Sequence, residues 1–107
     1  METLKTNDIL SSSWGYEQTN INFYRVKRLV GKTMIELARL ESMQVENQDL
    51  HFTQTSVIPD LTRERKRTFK RKIHQGTKSP FVMISNYESA WLWNGKPEEE
   101  TNSLFGH

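Results

Sequence analysis

The stretch that decides the fold is INFYRVKRLVGKTMIELARL, residues 21–40. In its first half Tyr24, Val26, Arg28 and Val30 alternate against Phe23, Arg25, Lys27 and Leu29. A period of two carried by β-branched and aromatic residues is the pattern of a strand. Gly31–Lys32 interrupts it, and TMIELARL follows. Two periodic runs joined by a short Gly-containing break predict a β-hairpin. The second arm carries a competing signal, because Met34, Leu37, Ala38 and Glu41 also fit helical spacing among good helix formers. We favour the strand, since so short a break feeds a hairpin more naturally than a strand-to-helix turn.

Working outward, Ile9–Leu10 precedes SSSWGY, a Ser/Gly-rich loop holding Trp14 and Tyr16. On the other side, ESMQVENQDL is polar and reads as a loop or short strand leading into HFTQTSVIPD, where Pro59 stops the element or places it at an edge. LTRERKRTFKRKI has no clear apolar face; Leu61, Phe69 and Ile73 are its only anchors, so it is expected to order on binding. Gly76 closes it, Pro80 starts the next element, and FVMIS is a continuous apolar run of the kind found in a core strand. In SAWLWNGK, Trp91 and Trp93 share one face and Ala90 and Leu92 the other, before a turn at Asn94–Gly95. The stretch 97–107 is acidic and expected to be an irregular tail, with Leu104–Phe105 docking back. The expected fold is mainly β, or α+β if residues 33–40 are helical. Five or six short strands would form a small twisted antiparallel sheet or partly open barrel, a single domain over 1–107.

Composition fits that size. A chain of 107 residues has room for one domain. It is only 35% hydrophobic, yet three Trp set it apart from a disordered chain. Zero Cys excludes a disulfide framework, thiolate metal sites and cysteine nucleophiles. There is no apolar run near a membrane span, and METLKTNDIL lacks the basic start and apolar core of a secretory leader, so a soluble intracellular protein is expected.

The net charge of +2 hides an asymmetry: RERKRTFKRK, residues 63–72, holds seven cations against one Glu, while the rest of the chain is net acidic. The candidate contacts are Arg63, Arg65, Lys66, Arg67, Lys70, Arg71 and Lys72. Such density supplies phosphate contacts driven by counterion release, and Phe69 within the run could stack on an unpaired base. The plainer alternatives are a solvated strand whose charges prevent edge pairing, or pairing with Glu98–Glu100. Trp14 and Tyr16 divide evenly between core and an apolar anchor for a partner, whereas Trp91 and Trp93 read as core.

No catalytic constellation emerges. Pro59–Asp60 with Glu64–Arg65–Lys66 superficially matches a metal-nuclease signature, but three intervening residues cannot form the hairpin that would align the carboxylates. His51, His74 and His107 lack ligand spacing. Gly31–Lys32–Thr33 looks like the tail of a phosphate-binding loop, but Val26 stands where its first Gly would fall. We therefore expect no metal, no cofactor and no enzymatic activity.

At SSWGYEQTNINFYRV and AWLWNGK, with the closing GH, the chain resembles a set of small proteins from phages, plasmids and integrative elements. That set shares a Ser-Trp-Gly-Tyr stretch, an Asn-x-x-Phe-Tyr-x-Val strand and a Trp-x-Trp/Asp/Asn-Gly-Lys close. The resemblance implies a mobile-element setting in a bacterial host cytoplasm and no reaction; Glu98–Glu100 departs from the pattern. The leading expectation is a non-enzymatic interaction protein that inhibits a host defence system such as an RNA-guided nuclease, in the manner of an anti-CRISPR. The partner would be a host defence protein or its nucleic-acid complex. The alternative is a nucleic-acid-binding small β-barrel acting in phage or plasmid regulation or replication.

Overall fold

The computed structural model describes residues 3–15, 19–45 and 54–101, so Tyr16 and the stretch 102–107 lie outside the described residues. Seven strands are present and, among the described residues, no helix: β1 (Ile9–Trp14), β2 (Asn20–Val30), β3 (Met34–Val45), β4 (Gln54–Gln75), β5 (Pro80–Ser85), β6 (Glu88–Leu92) and β7 (Glu98–Thr101). The first six close into an antiparallel barrel in the order β3-β2-β1-β6-β5-β4, with β4 pairing back onto β3. β7 adds to the start of β4. Closure removes most free edges, and a single domain results.

The 21–40 hairpin forms as the alternation predicts. Gly31, at φ 64°, takes the left-handed turn position that a side chain would disfavour. Val26 pairs with Leu37 and Arg28 with Glu36, so Lys27 is a bulged extra residue. The bulge brings Arg28 onto the Arg25 face. The helical spacing in β3 was misleading because both of its faces are covered: Ile35 and Leu37 are buried, and so are Ala38 and Leu40.

Two apolar clusters explain this double burial. Inside the barrel, Leu10, Tyr24, Val26, Ile35, Leu37, Val82 and Ala90 pack with Leu4, flanked by Phe69, Ile73, Ile84 and Leu92. On the outer face of the β1–β2–β3 wall, Ile21, Phe23, Leu40 and Val57 form a second cluster with Ile9 and Trp93. Val57 pairs with Glu98, so the start of β4 and β7 cover that face. Trp93 stands edge-on to Phe23, with centroids 5.9 Å apart, as its core reading required.

Two expectations are corrected and a third is decided. SSSW is strand and not loop, because Ser12 points inward and donates to the buried Glu88 carboxylate. Glu98–Thr101 is strand where an irregular tail was expected, held by the ladder to Gln54–Val57. Pro59 does not stop its element: it sits within the 22-residue β4, paired with Ser42 on one side. The other side of β4 has no ladder among the described residues between Val57 and Ile73, so its placement at an edge is the alternative that holds.

Candidate functional site

The basic run lies wholly in β4, so it is ordered in the free chain. Its backbone departs from β3 twice. From Ala38 to Leu40 β3 advances two residues while β4 retreats four, from Thr68 to Glu64. From Leu40 to Glu41 β3 advances one while β4 again retreats four, to Asp60. The surplus residues on β4 bulge outward and carry Arg63, Arg65, Lys66 and Arg67, all exposed. On its other side β4 pairs with β7 over Gln54–Val57 and with β5 over Ile73–Gln75. Between those ladders the basic stretch is an edge.

Counter-charges are few. Arg65 Nε bonds Glu41 at 2.6 Å, and that bond holds the Glu41 carboxyl below the usual carboxylate range. Glu36 is likewise held low, first by a hydrogen bond from Thr68 and then by Arg28. Glu64 is taken by Arg25 at 3.1 Å and Lys27 at 2.6 Å, which joins the bulged segment to β2. Arg63, Lys66, Arg67, Lys70 and Lys72 form no salt bridge among the described residues. Among the described residues no salt bridge joins the run to Glu98 or Glu99, and Glu98 accepts a bond from Ser11. The side chain of Glu100 lies outside the described residues.

Two members of the run have other work. Phe69 pairs with Leu37 and so faces inward, where its ring meets Tyr24 edge-on. It is not presented to a base, which corrects the expectation of a stacking ring there. Arg71 lies with its guanidinium 4.7 Å over the Phe69 ring and reaches the Ile84 carbonyl at 3.3 Å. It therefore bridges β4 to β5 beyond their short ladder. The nuclease-like string comes apart in the same way: Asp60 accepts from Thr62, while Glu64 is turned to the β2 cations. Among the described residues no group of three His, Asp or Glu could hold a metal ion.

Aromatic presentation lies elsewhere, at rings the sequence assigned to core or left aside. His74 pairs with Phe81, and Phe81 with Trp91, along one row of the outer barrel surface. The rings stack: 5.3 Å between His74 and Phe81, then 4.5 Å between Phe81 and Trp91, each pair 21° from parallel. Trp91 is 39% exposed, which corrects its core reading. Gly76 permits this, since a Cβ there would come within 3.0 Å of the indole. Lys70 and Lys72 precede His74 on the same face of β4, so the cationic row runs into the ring column.

Trp14 is half-buried against Tyr87, centroids 5.5 Å apart, with its indole N–H lacking a hydrogen-bond partner among the described residues. A depression of about 550 Å³ at the barrel end, lined in part by Lys5, Lys32 and Leu29, gathers no aromatic ring. No protein-family model, curated protein or solved structure matches this chain.

Proposed function

We propose that this chain is a binding module that engages nucleic acid through the outer edge of β4. One observation carries the reading: across two successive bulges of β4, Arg63, Arg65, Lys66 and Arg67 are all exposed, and three of these four form no salt bridge among the described residues. A cluster of like charges repels itself, and phosphates relieve that repulsion while releasing counterions. Charges and bulges also blunt a free edge, and a segment built only for that would bind no oligonucleotide. The test is charge reversal at Arg63, Lys66 and Arg67 together. Binding to a fluorescent oligonucleotide should fall at least tenfold with the circular dichroism unchanged; unchanged binding would count against the proposal.

A second reading has its own support. Leu61 is 53% exposed within the bulged segment and Tyr87 is 70% exposed over Trp14, features that suit an apolar anchor on a protein partner. This fits a non-enzymatic mobile-element protein that interferes with a host defence machine such as an RNA-guided nuclease, the setting implied by the Ser-Trp-Gly-Tyr resemblance. Capture from host lysate with and without nuclease separates the two. A partner retained after nuclease treatment supports protein docking, and one lost supports nucleic acid.

A further inference from the structure

We infer that the open face of Trp91 is a nucleobase site, which makes single-stranded nucleic acid the ligand class; this rests on the nucleic-acid reading above. The column His74–Phe81–Trp91 ends at Trp91, because Phe81 already has a ring on each side. Beyond Trp91 lies β1, where Ser11 is its cross-strand partner. There the surface forms a depression of about 220 Å³, lined by Trp91 with Ser11, Ser13, Asn94 and Glu98. It has room for one base beside the indole. A base entering it would extend the column by one ring, and stacking on an indole is open to any base.

The walls add a preference. Glu98 already accepts a bond from Ser11 at 3.2 Å, and an ionised carboxylate has further lone pairs to offer. Its chemistry suits an exocyclic amine, so adenine fits where thymine presents no such donor. The carboxylate also repels phosphate, which places the backbone towards the cations of β4. In a duplex the base faces are stacked on their neighbours, so none is free to extend this column. The Trp91 indole N–H is held by Ser89 at 3.2 Å, leaving recognition to the ring face.

The experiment measures intrinsic tryptophan fluorescence and the anisotropy of labelled dA12, dT12 and their duplex. The expected result is quenching by the single strands, tighter binding of dA12 than dT12, and weaker, non-quenching binding of the duplex. Trp91→Ala should weaken dA12 about fivefold or more and abolish the quench. Ser13→Phe, an exposed position that would fill the depression, should do the same with Trp91 still in place. Glu98→Gln should narrow the gap between dA12 and dT12. Wild-type dA12 binding by both Trp91→Ala and Ser13→Phe, with the β4 charge reversals still weakening it, would overturn this site alone. Failure of every oligonucleotide to bind at low salt would overturn the parent reading and this one with it.

Discussion

The Tyr24 hydroxyl donates a 2.6 Å hydrogen bond to Glu88 Oε2 in the middle of the barrel. Ser12 and Asn22 donate to the same oxygen, and Arg39 secures Asn22 by a 2.7 Å bond to its Oδ1. A carboxylate only 5% exposed would be costly without such partners. Here one Glu on β6 ties together β1 and β2, whose outer faces also support the Trp91 depression and the second apolar cluster.

Removing one donor leaves the carboxylate under-satisfied. Tyr24→Phe should cost about 1.5–3 kcal/mol in chemical denaturation, the range for a hydrogen bond to a charged group. Ser12→Ala should act in the same direction.

Burial first, then the bond to Glu88 and its charge, push the Tyr24 hydroxyl well above its ordinary value of 10.0. The folded chain then keeps this proton at a pH where the unfolded chain releases it. Stability from this group is complete below about pH 10 and falls above it, by up to about 1.4 kcal/mol per pH unit. A denaturation series from pH 9 to 11.5 should show a steeper decline in the wild type than in Tyr24→Phe.

Phe23 is fully buried in the outer cluster with Leu40, Val57 and Trp93. Phe23→Ala should cost about 3–5 kcal/mol through lost transfer energy and the cavity left behind. The drop in thermal midpoint should come with a loss of the near-ultraviolet signal of Trp93.

Arg65→Gln removes the bond that holds Glu41 low. The Glu41 carboxyl should return towards its ordinary value, read by NMR titration of its side-chain carbon. Because the folded value is depressed, the contribution of the pair is present above the ordinary carboxylate pKa. It is lost as pH falls through the folded one, and salt should weaken it.

The hairpin at 21–40 was legible because its turn glycine and its period of two agree. The strand at Ser11–Ser13 was not, since Ser12 is matched to a buried carboxylate on a strand far away in sequence. Long-range pairing likewise hid β7, whose Glu-rich sequence is a poor strand former until β4 supplies the ladder. The basic edge was visible as composition, but its bulges depend on the register against β3. The ring column was invisible for the same reason: His74, Phe81 and Trp91 meet only through the pairing of three strands. Phe69 was misread because its inward side follows from its match to Leu37, which no local pattern reveals.

The most direct test of the central claim is the salt dependence of binding to a single-stranded 12-mer, for the wild type and the Lys66→Glu, Arg67→Glu double variant. The expected result is a linear fall of log affinity with log salt, at about −0.7 per phosphate contacted, and a shallower slope in the variant. A salt-independent affinity, or a slope the variant leaves unchanged, would contradict it.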